Sequence, residues 1–302
     1  MTVYTTATSL DQALDALAAG ARAVAGGTDL VVAARQGKTP LPDSLVGLHR
    51  LPGLGEIELA GDRIRIGALV SHDRLAAEPI VREQLTALAD ASAIVGSHAT
   101  RNAGTLGGNL MNASPAMDTG GPLICLGAVA ELRSRSRSRE VPVEHLFAGP
   151  GRTVAESGEL LVGVHLPVPA PATGSCYVRL EYRRQMEIAV VGVTAAVTLE
   201  GGAVTAARVA ITALAPTIRR VEAAEAALLA GDGAAAVAAA AAAVAAGSAP
   251  ISDVRAGAGY RRAMAEVIAR RAIGGAIVRA RGGSVQIPAS DATYGATEEP
   301  RS

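Results

Sequence analysis

The chain has 302 residues, of which 49% are hydrophobic, and its 28 basic residues balance 28 acidic ones. A chain of this length can bury a sizeable core in one large domain or two. The net charge of zero gives no general reason to expect nucleic acid or an anionic membrane as a partner, so small-molecule chemistry is favoured. Aromatic residues make up only 2%, and a core filled by Ala, Val and Leu must pack its backbones closely.

The N-terminus lacks the basic and apolar regions of a secretory signal, so we expect a cytoplasmic protein. The most apolar stretch, residues 233–247, is almost pure alanine. It is too short and too weakly hydrophobic to span a bilayer, and alanine favours helix, so we predict a helix there and no membrane span. Cys125 and Cys176 lack metal or redox spacing and are expected to be reduced and structural.

Apolar periodicity and turn residues divide the N-terminal part of the chain into alternating helices and strands. Helices are predicted at 9–19, from 30, from 71 and at 81–95, and strands at 21–24, 44–48, 57–59 and 63–66. From 97 to 122 the composition turns to Gly, Thr and Asn. This composition predicts a long irregular loop, and such loops are more often functional than incidental.

The remaining chain is divided by a proline cluster at 167–171, which we take as a domain boundary. Before it, strands are predicted at 128–133, 139–143 and 160–166; after it, strands at 175–181, 188–199 and 207–213 and helices at 217–246 and 259–279. The segment 282–302 is rich in Gly, Ser, Pro, Thr and Glu and is expected to be disordered.

Two glycine-bearing segments carry the chemistry. We name residues 25–29 (Ala-Gly-Gly-Thr-Asp) the first glycine motif and residues 101–109 (Arg-Asn-Ala-Gly-Thr-Leu-Gly-Gly-Asn) the second glycine motif. Glycine lets the backbone approach a phosphate, and N–H groups and Thr hydroxyls then donate to its oxygens. Two such segments could hold a pyrophosphate from both sides, although either alone could be an ordinary turn.

Other phosphate-binding, metal-binding and nucleophile motifs are not supported by the sequence. Residues 37–39 resemble the end of a P-loop, but position 32, where the first glycine belongs, is Val32. No G-x-G-x-x-G opens a helix after a strand, the five histidines have no metal-ligand spacing, and no nucleophile elbow is present. We therefore expect no metal site and no catalytic residue in this chain.

The ordered set of motifs resembles the FAD-binding medium subunits of the molybdenum hydroxylases, of the xanthine dehydrogenase and carbon monoxide dehydrogenase flavoprotein type. Besides the two glycine motifs, the resemblance includes residues 113–118, 158–161, 183–189, 253–255, 260–262 and 270–272, and it spans about residues 3 to 280. It implies an α+β fold, with a two-part FAD-binding domain over 1–170 whose subdomains are about 1–55 and 56–170. A C-terminal flavoprotein domain, with a three-stranded antiparallel sheet and helices, would occupy 171–281.

The resemblance also implies which positions contact FAD. Around the pyrophosphate and ribityl chain it places Ala25, Gly26, Gly27, Thr28, Asp29, Leu30, Thr105, Gly107, Gly108, Asn109, Asn112 and Asp118, and near the flavin Leu161, Arg179, Glu187 and Ile188. Arg179 stands where xanthine dehydrogenases carry a lysine, which keeps the positive charge. Ile188 replaces an aromatic residue of the carbon monoxide dehydrogenases.

Several of these positions have a simpler interpretation. Asp118 could cap a helix starting near Pro122, the pair Arg183–Arg184 could be a solvated strand end, and His98 is expected to be a packing or hydrogen-bonding residue. The alternating Arg and Ser residues of 133–139 are expected at the tip of a hairpin, as a solvated turn or a partner contact, and not as an RNA site.

The implied function is electron transfer. The chain would take electrons from 2Fe-2S clusters in an iron–sulfur partner subunit and pass them to an external acceptor, while a large molybdopterin subunit oxidises the substrate. Separate subunits must supply the clusters, because the chain itself lacks iron–sulfur cysteine patterns. The resemblance implies that the subunits assemble as a dimer of heterotrimers. Two alternatives are a stand-alone flavin oxidoreductase and a non-enzymatic assembly or binding protein.

Overall fold

The structure, a computed structural model, describes residues 2–231 and 233–291. The helices are α1 Leu10–Ala18, α2 Thr28–Arg35, α3 His72–Ala77, α4 Pro79–Gln84, α5 Thr86–Ala93, α6 His98–Ala103, α7 Leu106–Asn112, α8 Gly120–Cys125, α9 Glu222–Ala230, α10 Gly233–Ala246 and α11 Ala258–Ala280. The strands are β1 Val3–Thr6, β2 Arg22–Val24, β3 Ser44–Gly47, β4 Ile57–Ala60, β5 Arg63–Gly67, β6 Val129–Arg133, β7 Ser138–Pro142, β8 Phe147–Gly149, β9 Arg152–Thr153, β10 Leu160–Pro167, β11 Thr173–Leu180, β12 Val191–Glu200, β13 Ala203–Thr212 and β14 Arg219–Arg220.

The chain forms two compact units, and each is assembled from separate stretches. The first unit comprises residues up to 75 together with 96–114 and 127–168, and the second comprises 76–95, 115–126 and the chain from 169 onward. Two stretches that precede the proline cluster therefore group with the second unit. The domain boundary at 170 stays a prediction.

The first unit contains two sheets. β1, β3 and β2 form a parallel sheet with β3 in the middle, and β4, β5, β10, β6 and β7 form an antiparallel sheet in that order. Both sheets contribute to one buried cluster, which includes Leu14 of α1, Val46 of β3 and Leu160 of β10. Helix α1 begins where expected, because Ser9 accepts a hydrogen bond from the N–H of Gln12 at its N-terminus.

The Arg-Ser segment forms the tip of the β6–β7 hairpin, and its arginines are bound within the chain. Arg135 pairs with Asp11 and Asp15 of α1 at 2.7 and 2.9 Å. Arg137 and Arg139 both donate to Glu159, whose side chain is only 1% exposed. Arg135, Arg137 and Glu159 line a polar depression of about 470 Å³. The predicted hairpin is confirmed.

The second unit is built on the antiparallel sheet β11–β12–β13–β14. The three strands expected after the proline cluster are confirmed as β11, β12 and β13, and the two-residue β14 extends the sheet. Helix α11 packs directly on β11: a Cβ on Gly174 would lie 2.2 Å from the carbonyl oxygen of Ala276. Such close backbone contact is what an alanine-rich core requires.

β11 is an edge strand, and two of its outward N–H groups are bonded to side chains. The N–H of Tyr177 donates to Asp90 at 3.1 Å, and the N–H of Arg179 donates to the hydroxyl of Ser290 at 3.0 Å. The carboxylate of Asp90 also receives the guanidinium of Arg279 from α11 at 2.6 Å. Ser290 and Asp90 therefore occupy the positions that another strand would use.

Several predicted boundaries are wrong. Residues 97–122 are not an irregular loop: they contain α6, α7 and α8, because Ser97 and Thr105 cap helices that the glycine-rich composition obscured. The helix expected over 81–95 is two helices that meet at Leu85. The helix expected from 217 starts only at Glu222, after β14.

The expected disorder of the 282–302 tail is wrong for residues 282–291. Ala289 and Ser290 are 1% exposed, and the N–H of Ala289 donates to Asp90. Buried hydrogen bonds therefore outweigh the polar composition of this segment. Residues 292–302 lie outside the described residues.

Candidate functional site

The first glycine motif lies where β2 ends and α2 begins. Gly27 adopts a left-handed conformation, with φ of 69°, immediately before the helix, and Thr28, Asp29 and Leu30 form its first turn. Ala25 connects strand and turn and is half-buried. Only glycine adopts this backbone conformation without strain, so the strand–turn–helix expected for the segment is confirmed.

The second glycine motif is a tight connection between α6 and α7. The Thr105 hydroxyl accepts a hydrogen bond from the N–H of Gly108 at 3.1 Å and so caps α7. Two further bonds fix this helix start to the segment after β5: Leu106 N–H to the Val70 oxygen and Gly107 N–H to the Ala68 oxygen, both at 2.9 Å. The motif is held rigidly by backbone hydrogen bonds.

The two glycine motifs touch each other within the first unit. A Cβ on Gly26 would lie 1.8 Å from the carbonyl oxygen of Ala103, and a Cβ on Gly104 would lie 3.5 Å from the hydroxyl of Thr28. Any side chain at Gly26 would therefore separate the motifs. Segments about eighty residues apart in sequence are thus brought together at their glycines.

The glycines of this arrangement have different neighbours. Gly107 has no room for a side chain, because a Cβ would lie 2.7 Å from Ala68. Gly108 is exposed, and Thr105 Oγ1 at 3.1 Å is the protein atom that a Cβ would meet within 4 Å. Gly107 is therefore needed for packing, whereas the space in front of Gly108 is open.

The donors of the first glycine motif fit a phosphate group. The N–H groups of Gly26 and Gly27 donate to no acceptor among the described residues, and the first N–H groups of α2 have no partner within the helix, as at any helix start. Such N–H groups and the Thr28 hydroxyl are the donors that a pyrophosphate needs. The described geometry is therefore compatible with the diphosphate part of FAD.

The other predicted contacts of the first unit differ in exposure. Asn109 is half-buried in α7, and Asn112, the last residue of that helix, is exposed. Leu161 lies in β10 beside a β-bulge and is 3% exposed. Leu161 thus belongs to the packed interior of the first unit.

In the second unit, Asp118 and Arg179 form a buried ion pair. Nη1 of Arg179 donates to Oδ2 of Asp118 at 2.8 Å, and the hydroxyl of Tyr177 donates to Oδ1 at 2.6 Å. Arg179 also donates to Glu181. Asp118 does not cap a helix: Thr119 occupies that position before α8, so that alternative is wrong.

The charges of this cluster stabilise one another in a buried setting. Burial raises the pKa of Asp118, and the nearby Arg179 and the Tyr177 hydroxyl oppose this shift. Burial alone would lower the pKa of Arg179, but Asp118 and Glu181 outweigh it and hold that pKa above its ordinary value. Burial likewise raises the pKa of Glu181. Two carboxyl groups therefore share one guanidinium, and Arg179 is no isolated positive charge.

Glu187 and Ile188 lie in the connection between β11 and β12. Glu187 accepts hydrogen bonds from Arg183 at 3.2 Å and from its neighbour's N–H at 3.1 Å, and Ile188 is 45% exposed. Arg183 and Arg184 are exposed beyond the end of β11, as expected for a solvated strand end. His98 lies 3.0 Å from Arg101, as expected for a hydrogen-bonding residue.

The family models match both parts of the chain. The model described as the FAD binding domain in molybdopterin dehydrogenase matches residues 1–169, and the CO dehydrogenase flavoprotein C-terminal domain matches residues 177–276. The chain belongs to the FAD-binding subunits of the molybdenum hydroxylases. It is therefore a flavoprotein subunit of an oxidoreductase.

Known relatives of this FAD-binding subunit match along nearly their whole length. The carbon monoxide dehydrogenase medium chain of Hydrogenophaga pseudoflava is 32% identical, over 88% of this chain and 92% of the relative. A putative xanthine dehydrogenase FAD-binding subunit of Escherichia coli K12 is 31% identical, over 94% of this chain and 98% of the relative. The similarity therefore extends over both units.

Solved structures agree with this assignment. Carbon monoxide dehydrogenase from Hydrogenophaga pseudoflava superposes with a TM-score of 0.88 at 33% identity, covering 92% of this chain and 98% of that one. Quinoline 2-oxidoreductase from Pseudomonas putida 86 gives a TM-score of 0.86 at 29% identity, covering 93% and 98%. The α+β fold expected from the sequence is thereby confirmed.

The described residues of this FAD-binding subunit contain neither a candidate membrane-spanning helix nor a candidate metal site. No described helix is both long and apolar enough to cross a bilayer. In the same residues, no group of three or more His, Cys, Asp or Glu side chains is arranged to hold a metal ion. Cys125 and Cys176 are free buried thiols, as expected, and burial raises the pKa of both.

Sequence reasoning missed three polar residues of the subunit. Tyr177 and Glu181 alternate with Arg179 along and just beyond β11, so the two-residue period of polar side chains could have grouped them on one face. His72 contacts the second glycine motif but carries no such signal, because its partners are more than thirty residues away.

Proposed function

We propose that this chain is the electron-transfer subunit of a heteromeric molybdenum hydroxylase. It binds one FAD non-covalently, takes electrons from 2Fe-2S clusters of an iron–sulfur subunit and passes them to an external acceptor. A large molybdopterin subunit oxidises the substrate, and the assembly is a dimer of heterotrimers in the cytoplasm. Bound FAD supplies the exchange of electrons singly or in pairs.

The contact between the two glycine motifs carries this proposal. The packing of Gly26 on Ala103 brings the first glycine motif, whose Gly26 and Gly27 N–H groups donate to no described acceptor, against the second glycine motif. Ala25 to Leu30, together with Thr105, Gly108 and Asn109, would contact the pyrophosphate and ribityl chain. Gly107 would act by letting α7 pack on Ala68.

The remaining candidate residues serve the flavin part of the cofactor in this proposal. Asn112 and Asp118 would add polar contacts, and Leu161 would lie close to the cleft between flavin and adenine. Arg179, Glu187 and Ile188 would lie near the ring. The buried Asp118–Arg179 pair supports a fixed position for Arg179, since a guanidinium held by two carboxylates does not move freely.

A first experiment tests the cofactor. The purified chain should be yellow, and acid precipitation should release all of its FAD into the supernatant. Flavin that stays with the pellet would refute non-covalent binding. A colourless chain that FAD cannot reconstitute would refute the FAD site and favour an assembly or binding protein.

A second experiment tests the heteromer. Affinity purification of the full chain from its native cells should co-purify two further subunits, with iron and molybdenum in the complex. The isolated chain should hold reducible FAD yet oxidise no organic substrate, and adding the partner subunits should restore substrate-dependent flavin reduction. A fully active species that contains this chain alone would refute the proposal and favour a stand-alone oxidoreductase.

A further inference from the structure

His72 lies directly behind the place where the two glycine motifs meet. The backbone N–H of His72 donates to the carbonyl oxygen of Gly104 at 3.1 Å, and the preceding Ser71 forms a β-bridge with Thr105. A Cβ on Gly104 would lie 3.4 Å from Cδ2 of the His72 ring and 3.5 Å from the hydroxyl of Thr28. Gly104 is thus enclosed between the imidazole and the first glycine motif.

The environment of the ring fixes its charge. His72 is 2% exposed, and burial, followed by the positive charge of Arg101 on α6, lowers its pKa to about 4. The imidazole is therefore neutral near neutral pH. A proton on it would place a second buried cation beside Arg101, which is 6% exposed.

The environment also fixes the tautomer. Nδ1 is buried and has no hydrogen-bond partner among the described residues. A neutral imidazole carries one proton, on either nitrogen, and a buried N–H without an acceptor costs more than a buried acceptor without a donor. Nε2 is not among the buried atoms without a partner, so the proton is better accommodated on Nε2.

We propose that His72 is a positioning residue of the FAD site: its neutral imidazole, protonated on Nε2, holds Gly104 against Thr28 and keeps the two glycine motifs together. This inference rests on the proposed FAD function. It assigns to His72 an indirect role through the second glycine motif. The role depends on the ring being present and uncharged.

The arrangement has a consequence for pH. Separating the motifs would expose His72 and let it bind a proton near its ordinary pKa of 6.5, whereas in the closed arrangement it does so only at about 4. Protons therefore favour the open arrangement as the pH falls from 6.5 to about 4. If FAD binds only the closed arrangement, its affinity should fall as the pH falls through that window.

The test compares FAD affinity in three forms of the full chain. His72→Ala should weaken FAD binding at least about tenfold at mildly alkaline pH, because the support behind Gly104 is lost. His72→Phe should recover most of that loss, since it restores a ring, and should lack the extra pH dependence of the wild type. Circular dichroism checks that each variant is folded, and His145→Phe, at an exposed histidine, is the matched control.

Each outcome separates the inference from the proposed function. Wild-type protein that binds no FAD refutes the function. Suppose that the wild-type protein binds FAD. Equal FAD affinity in His72→Ala, or a pH profile of FAD affinity in His72→Phe that matches the wild type, would then overturn only the role of His72. If His72→Ala does not fold, the His72→Phe profile still decides. Long-range proton–nitrogen NMR, assigned by the signal lost in His72→Phe, should show Nε2–H, and an Nδ1–H tautomer would also overturn the inference.

Discussion

Arg179 donates to Asp118 across 2.8 Å with both side chains buried, and the same carboxylate accepts the Tyr177 hydroxyl at 2.6 Å. A buried guanidinium is tolerated only because carboxylates surround it. This ion pair joins Asp118, in the segment before α8, to Arg179 in the edge strand β11. It therefore stabilises the second unit whether or not the cofactor is bound.

Removing the carboxylate should therefore destabilise the protein. Asp118→Ala leaves Arg179 with Glu181 as its acidic partner in this cluster, and breaking such a buried pair costs about 3–5 kcal/mol of unfolding free energy. Tyr177→Phe removes one hydrogen bond to a charged acceptor and should cost about 1.5–3 kcal/mol. Urea unfolding of the flavin-free chain measures both. An Asp118→Ala variant as stable as wild type would contradict this account.

Gly108 should be required for the cofactor and not for the fold. Gly108→Val fills the open space in front of the second glycine motif, so FAD retention should be lost while the circular dichroism spectrum is unchanged. Gly55→Val, at a glycine whose Cβ would meet no atom within 4 Å, is the control and should keep its flavin. Normal flavin content in Gly108→Val would remove this position from the site.

Gly107, by contrast, should be required for the stability of the fold. A Cβ there would lie 2.7 Å from Ala68, so Gly107→Ala forces a backbone shift and should lower the free energy of unfolding by about 1–3 kcal/mol. Thermal or urea unfolding of the apoprotein measures this loss. Gly108→Ala, one residue on, should change the apoprotein far less, and equal losses in the two variants would contradict the packing described.

Glu159 should make stability depend on acid pH. The hydrogen bond from Arg139, with further donors, lowers the pKa of this carboxyl from 4.5 to about 2. The unfolded chain therefore binds a proton at a higher pH than the folded chain does. The contribution of Glu159 is fully present above pH 4.5 and is lost as the pH falls to about 2.

The matched variant is Glu159→Gln, which cannot ionise. Its free energy of unfolding should fall below that of the wild type by the largest amount near neutral pH. This difference should shrink as the pH falls through that window. Urea midpoints measured at a series of pH values provide the comparison. A constant difference between the two proteins would show that the ion pairs with Arg137 and Arg139 do not contribute.

Arg135 should contribute little by comparison. Its partners Asp11 and Asp15 have side chains 78% and 64% exposed, and exposed ion pairs are typically worth about 0–1 kcal/mol. Arg135→Ala should therefore change the unfolding free energy by less than about 1 kcal/mol, and added salt should reduce the difference. A loss equal to that of Glu159→Gln would contradict this ranking.

The sequence predicts the elements whose signals are local. The strand–turn–helix at Gly27 and the hairpin around Gly61 follow from turn residues and alternation within a few positions. The helices of 97–122 were missed because their caps, Ser97 and Thr105, stand in a glycine-rich composition that suggests a loop.

The long-range part of the site could be inferred only in outline. The resemblance grouped the two glycine motifs, but the packing of Gly26 on Ala103 depends on chain segments far apart in sequence. The partners of Arg179 and the burial of Ala289 likewise depend on tertiary contacts. Composition alone assigned Ala289 to a disordered tail.

The covered edge of β11 limits how other chains can associate with the second unit. The N–H groups of Tyr177 and Arg179 are already bonded to Asp90 and Ser290, so an incoming strand cannot use these two donors to continue the sheet. Strand addition at this edge would first require breaking the buried contacts of Asp90. A subunit that binds this edge must therefore recognise side chains, and the same protection opposes edge-to-edge aggregation before the complex assembles.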